Sequence, residues 1–115
     1  MIGDMMSMQE RIEHIVVKFN ERSDEDERLR KDMAHLKKAF MMDLGSEVYS
    51  MKLENSKVGD FKAERIENAD IILTSTPETI EAMMNGELRP MRAYITKKIR
   101  INGNIKDLMF LKKFI

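Results

Sequence analysis

The feature that most narrows what this chain can fold into is a change of hydrophobic period at Lys38. Before it, Met5, Met8, Ile12, Ile15, Val16 and Phe19 fall on one stripe when residues are set 100° apart. Leu29, Met33 and Leu36 make a second such stripe. After Lys38, Phe40, Met42 and Leu44 occupy alternate positions, and so do Tyr49, Met51 and Leu53. A spacing near 3.6 puts apolar side chains on one side of a helix, and a spacing of 2 puts them on one face of a strand. Two helices followed by paired strands are therefore expected.

Local signals divide the chain further. The first eighteen or so residues read as a helix, with His14 on its polar side. Ser23 is expected to open the second helix, with Asp24, Glu25, Asp26 and Glu27 in the first turn, where the helix dipole favours negative charge. Capping accounts for that acidic run, whose members are adjacent rather than convergent as a metal site would need. Gly45-Ser46 reads as a two-residue turn and Glu54-Asn55-Ser56 as another, giving a three-strand meander that ends near Ala63. A loop around Glu64 to Ala69 leads to a fourth strand, where Ile71-Ile72-Leu73 suggests burial on both faces. Thr76-Pro77 starts a helix, a hydroxyl cap followed by proline at the first helical position, and Asn85-Gly86 stops it. Met91 to Ile95 reads as a short apolar turn, followed by a strand in which Ile99 and Ile101 alternate with Lys98 and Arg100. After Gly103-Asn104 a terminal helix is expected; seven of the last eleven residues are apolar.

Composition then removes several function classes. The length of 115 residues suits one domain, 1–115, and 43% hydrophobic with 35% charged residues suits a globular chain. Twenty basic and twenty acidic side chains cancel. Nucleic-acid binding draws on phosphate neutralisation and a basic excess, so no nucleic-acid partner is expected. Cysteine is absent, which excludes disulfides and thiolate chemistry. The N-terminus lacks a basic end followed by an apolar run, no window approaches the ~20 apolar residues of a membrane span, and the C-terminus carries no sorting tripeptide. A cytoplasmic location is the expectation. His14 and His35 lie on separate helices, both on polar faces, and no nucleophile, base and orienting group converge. No glycine-rich phosphate loop is present. The chain is not expected to be an enzyme or to carry a metal or cofactor.

The stretch from Gly86 to the end carries a resemblance. Gly86-Glu87-Leu88-Arg89-Pro90-Met91-Arg92-Ala93-Tyr94, then Lys98-Ile99-Arg100-Ile101-Asn102-Gly103-Asn104, then a Leu-rich terminal segment, resembles the sterol carrier protein type-two (SCP2) family. Ala69-Asp70-Ile71-Ile72-Leu73-Thr74 resembles that family's strand after an Ala-Asp pair. The resemblance implies an α+β fold: a five-stranded, mainly antiparallel sheet covered on one face by helices, with an apolar tunnel between the sheet and the C-terminal helices. It further implies loosely selective binding of a fatty acid, acyl-coenzyme A, isoprenoid, sterol or phospholipid. One departure stands out. The family usually has glycine where this chain has Lys97, so the turn at Thr96-Lys97 is expected to differ in shape, since a side chain disfavours positive φ.

On that resemblance Ile80, Met83, Met84, Met91, Tyr94, Ile99, Leu108 and Leu111 are the candidate ligand-binding residues. Twelve methionines make an adaptable lining, because the unbranched side chain repacks around different shapes. Each methionine taken singly reads more plainly as core filling, and the Tyr94 hydroxyl more plainly as a structural hydrogen-bonding group than as a head-group contact. Arg92, Lys97, Lys98 and Arg100 form a local basic patch. Its plain reading is a solvated face; its functional reading is attraction to a carboxylate, a phosphate or, transiently, an anionic membrane surface. The competing expectation is a non-catalytic interaction domain with a closed cavity, in which Phe110, Phe114 and Ile115 pack on a partner chain and a homodimer forms.

Overall fold

The computed structural model describes residues 6–103. Helix α1 spans Met8–Glu25 and α2 Glu27–Met33. They are followed by β1 (Lys38–Asp43), β2 (Val48–Glu54), β3 (Lys57–Lys62) and β4 (Ile71–Thr74), then α3 (Pro77–Met84), α4 (Pro90–Ile95) and β5 (Arg100–Asn102). The strands form one sheet in the order β3-β2-β1-β4-β5. Only β1 and β4 pair in parallel; the other three pairings are antiparallel. The architecture is the expected α+β one. The terminal helix expected after Gly103, together with Met5, Leu108, Phe110, Leu111, Phe114 and Ile115, lies outside the described residues.

The α1 stripe settles on the sheet, with Ile12, Val16 and Phe19 buried. Ser7 caps the helix: its hydroxyl accepts from the Glu10 amide at 3.1 Å while the Ser7 amide donates to Glu10 Oε1 at 3.2 Å. Ser23 does not open the second helix. It continues α1, fully buried, and donates from Oγ to the Ser56 carbonyl at 2.6 Å. Asp26 is the cap of α2, its carboxylate accepting from the Leu29 amide at 3.1 Å. The two candidates are alike as local signals, and docking of α1 on the β2–β3 turn chooses between them. Asn20 strengthens the same seam. Its side-chain amide donates to the Val58 carbonyl at 2.9 Å and its side-chain oxygen accepts from the Val58 amide at 2.8 Å. Strand β3 lies at the edge of the sheet, so Asn20 fills the hydrogen-bonding positions a further strand would otherwise occupy.

Phe40, Met42, Tyr49, Met51, Leu53, Val58, Ile71 and Leu73 belong to the one hydrophobic core under the helices. The second face is not simply solvated. Met41 and Ser50, directly paired across β1 and β2, are buried at 4% and 1% exposure. Segment 63–70 joins β3 to β4. It must carry the chain from β3 at one edge, past β2 and β1, to β4. It is pinned where Arg65 donates to Asp43 at 3.0 Å, and where the Asp70 carboxylate accepts from the Ala39 amide at 2.7 Å. Asp43 and Ala39 lie two residues either side of Met41 on β1. The Asp43 carboxyl is held below its ordinary range, first by the Gly45 amide and then by Arg65. The fourth strand is less enclosed than its sequence suggested: Ile71 and Leu73 are buried, Ile72 only half-buried.

Candidate functional site

The candidate residues sit on the arch from β4 to β5. Thr76 caps α3, its hydroxyl oxygen accepting from the Thr79 amide at 3.2 Å, and Pro77 takes the first turn. This start sends Ile80 and Met83 into the core. Arg11 of α1 ties the far end of α3, donating to Asn85 Oδ1 at 2.6 Å and pairing with Glu81 at 3.3 Å.

The arch then closes two helices in the same way, eleven residues apart. At the end of α3 the Gly86 amide donates to the Met83 carbonyl at 3.1 Å and the Glu87 amide to the Ala82 carbonyl at 2.9 Å. At the end of α4 the Lys97 amide donates to Tyr94 at 3.1 Å and the Lys98 amide to Ala93 at 2.8 Å. Both are Schellman closures, which place the residue after the cap in the left-handed region. Gly86 has φ +76° and Lys97 φ +62°. Lys97 thus adopts the left-handed conformation that glycine takes more readily. Such a side chain costs ~1 kcal/mol relative to glycine. The Ser75 hydroxyl donates to the Lys98 carbonyl at 2.8 Å, fastening this closure to the end of β4.

Met91 to Ile95 is not a turn but lies within α4, which proline at its first position and the Lys97 closure together define. The difference redistributes the candidates. Ile80, Met83 and Ile99 are brought together in the core, with Met84 half-buried against it. Ala93, wholly buried, is the point at which α4 touches that core. Met91 and Tyr94 are 37% and 36% exposed, joined by Ile95 at 67%. These three are spaced i, i+3 and i+4, one helical face, and Ala93 lies opposite them. Ile95 was not among the nominated residues; its i+4 relation to Met91 carries the signal, but only once the segment is taken as a helix. Leu108 and Leu111 fall outside the described residues.

Charge on the arch is one-sided. Arg89, Arg92, Lys97, Lys98 and Arg100 are all exposed, and no acidic residue occurs from Leu88 to Asn102. The ion pairs among the described residues involve other cations. His14 is exposed on α1, and His35 lies in the turn after α2 rather than on a helix face. Among the described residues no three His, Asp or Glu side chains come together to hold a metal ion, and no helix is long and apolar enough to cross a membrane.

Comparison with known proteins adds the lineage of this arrangement. The sequence model of the SCP-2 sterol transfer family matches residues 18–115. Hydroxysteroid dehydrogenase-like protein 2 of Rattus norvegicus is 30% identical over 73 residues, 64% of this chain and 14% of that protein. Among solved structures, apo sterol carrier protein 2 from Yarrowia lipolytica superposes with a TM-score of 0.61 at 16% identity, covering 92% of this chain and 88% of that one. The sec-alkylsulfatase Pisa1 from Pseudomonas sp. superposes with a TM-score of 0.61 at 12% identity, covering 75% of this chain but 14% of the enzyme. The chain thus corresponds to a small part of the rat protein and of the sulfatase, and to nearly all of the yeast carrier.

Proposed function

The chain belongs to the SCP-2 sterol transfer family, and on that premise we propose that it holds one apolar lipid non-covalently, between the sheet and its C-terminal segments. The observation that carries this reading is the apolar concentration on the arch: Ile80, Met83 and Ile99 gather inside it while Met91 and Tyr94 stand exposed at its outer side. In this reading Ile80, Met83, Met84 and Ile99 form the inner wall, Met91 and Tyr94 the rim, and Leu108 and Leu111 the opposing side. An apolar site rewards buried area at about 25 cal/mol per Å², whatever the detailed outline of the occupant. Methionine side chains adapt to that outline at little cost. The cargo class is accordingly broad, taking in a fatty acid, acyl-coenzyme A, isoprenoid or sterol.

The chain acts here as a carrier or presenting unit in the cytoplasm, without a cofactor, and residues 1–115 work as one unit. Chemistry of the kind named for the longer relatives is not part of this proposal. Native mass spectrometry of freshly purified protein, followed by organic extraction, tests the reading. A stoichiometric mass increment that resolves into acyl or isoprenoid species is the expected result. A bare mass, unchanged after incubation with fatty acids, acyl-coenzyme A and isoprenoids, would remove the proposal and leave an interaction domain with a filled interior.

A further inference from the structure

We propose that Asn102-Gly103 is a self-modifying site, at which the chain converts its own asparagine to aspartate and isoaspartate and so unfastens the end of β5. The sequence holds two Asn-Gly pairs, Asn85-Gly86 and Asn102-Gly103. In both, glycine carries no side chain to hinder attack by its own amide nitrogen. All four residues are exposed, so burial does not separate the pairs. Their hydrogen bonds do.

Asn85 is held at both ends of its carboxamide. Its Oδ1 accepts from Arg11 at 2.6 Å, and its Nδ2 donates to Glu87 Oε1 at 3.3 Å. The Gly86 amide, the nitrogen that would attack, donates to the Met83 carbonyl at 3.1 Å in the closure of α3. Asn102 has no such restraint. Among the described residues no hydrogen bond engages its carboxamide, and the Gly103 amide has no backbone partner. Asn102 also ends a three-residue strand at the edge of the sheet, opposite Ile72. The end of a short edge strand opens at little cost in free energy, and opening lets the carboxamide turn onto the following nitrogen. Arg100 stands two residues back on the same strand face, in the stretch from Leu88 to Asn102 that holds no acidic residue. Its positive charge favours the anionic intermediate of the attack.

The reaction needs only water. Solvent base takes the Gly103 amide proton, and the nitrogen forms a bond to Asn102 Cγ. The bond from Cγ to Nδ2 breaks, Nδ2 leaves as ammonia with a proton from solvent, and a cyclic imide remains. Water then opens the ring. Cleavage between the nitrogen and Cγ restores the main chain and leaves aspartate. Cleavage between the nitrogen and the Asn102 main-chain carbonyl carbon leaves isoaspartate, with the chain running through Cγ. Either product places a negative charge in the cationic stretch. Isoaspartate also lengthens the backbone by a methylene, which takes Asn102 out of its pairing with Ile72. The inference stands apart from the cargo reading.

The test is incubation of the full chain in warm neutral buffer, followed by peptide mapping in a mass spectrometer. Isoaspartate is scored with protein isoaspartate methyltransferase. Deamidation at Asn102 is expected to exceed that at Asn85 by about tenfold or more. Asn102→Gln, whose longer side chain closes a larger ring less readily, is expected to abolish the gain of charge. Arg11→Ala frees the Asn85 carboxamide and is expected to raise deamidation there while leaving Asn102 unchanged. Circular dichroism confirms that each variant is folded. The isoaspartate form, separated by ion exchange, is expected to exchange its amide hydrogens faster than the parent from Ile71 to Thr74. Equal deamidation at the two asparagines, none at Asn102, an unchanged Asn85 in Arg11→Ala, or unaltered exchange in the isoaspartate form would overturn the inference.

Discussion

Helices α1 and α4 are both amphipathic, and they use their apolar stripes in opposite ways. On α1 the residues Ile12, Val16 and Phe19 are buried against the sheet, with Ser23 and Asn20 bonded to the β2–β3 turn and to the edge strand. On α4 alanine is the one wholly buried residue, while Met91 and Tyr94 are about one-third exposed and Ile95 two-thirds. The α1 stripe contributes to stability because its apolar area leaves water on folding. The α4 stripe leaves water less completely, so it contributes less to folding than the α1 stripe.

The largest expected effect sets the two helices against each other. Phe19→Ala should lower the unfolding free energy by about 3–5 kcal/mol in urea titration, because it opens a cavity in a packed core. Ile95→Asp should change it by no more than about 0.5 kcal/mol. Equal losses would mean that α4 is as much a part of the core as α1.

The closed side also has a titration signature. The Tyr49 hydroxyl, bonded to Glu47 and stacked by its ring on Phe61, is pushed up to about 12, first by burial and then by Glu47. The folded state therefore holds this proton more tightly than the unfolded chain, whose tyrosine titrates near 10.0. Its stabilisation is complete below the unfolded value and is lost as pH rises from about 10 to about 12. Stability of the parent protein should fall by ~2 kcal/mol across that window, and Tyr49→Phe should flatten the fall. An unchanged alkaline slope in Tyr49→Phe would locate the titrating group elsewhere.

The smallest effect separates the two helix closures. A Cβ added at Gly86 meets nothing within 4 Å, so Gly86→Ala tests backbone conformation alone and should cost ~1 kcal/mol. Lys97→Gly should add ~1 kcal/mol by relieving the same conformation at φ +62°. Opposite signs in thermal unfolding would establish that both turns are held left-handed. A loss at Lys97→Gly would mean that the lysine side chain stabilises its turn by contacts of its own.

Much of the fold was legible in the residues because its signals are local. The change of period at Lys38, the Asn55-Ser56 turn, and the Thr76-Pro77 start all appear where expected. Asn55 and Ser56 adopt φ of +55° and +63°, as a two-residue hairpin turn requires. Ser23 shows the limit. As a helix-capping signal it is as good as Asp26, and its burial against Ser56 is a long-range event that no local pattern encodes. Met41 and Ser50 show it again: they alternate with the core-facing Phe40, Met42, Tyr49 and Met51, yet they are buried too.

For the candidate site the division is sharper. The sequence alone determined that Met91, Tyr94 and Ile95 lie among cations in an acid-free stretch, and that Ile80, Met83 and Ile99 are apolar enough for the interior. It also established the family resemblance through the spacing of Gly86, Pro90 and Gly103. Which of these residues turn inward was decided by the tertiary structure. Periodicity reports which side chains share a face, but a face acquires an inside and an outside only when another element packs on it. On α4 that choice rests on Ala93, whose small side chain admits the helix to the core by one contact and leaves the larger residues on the other side.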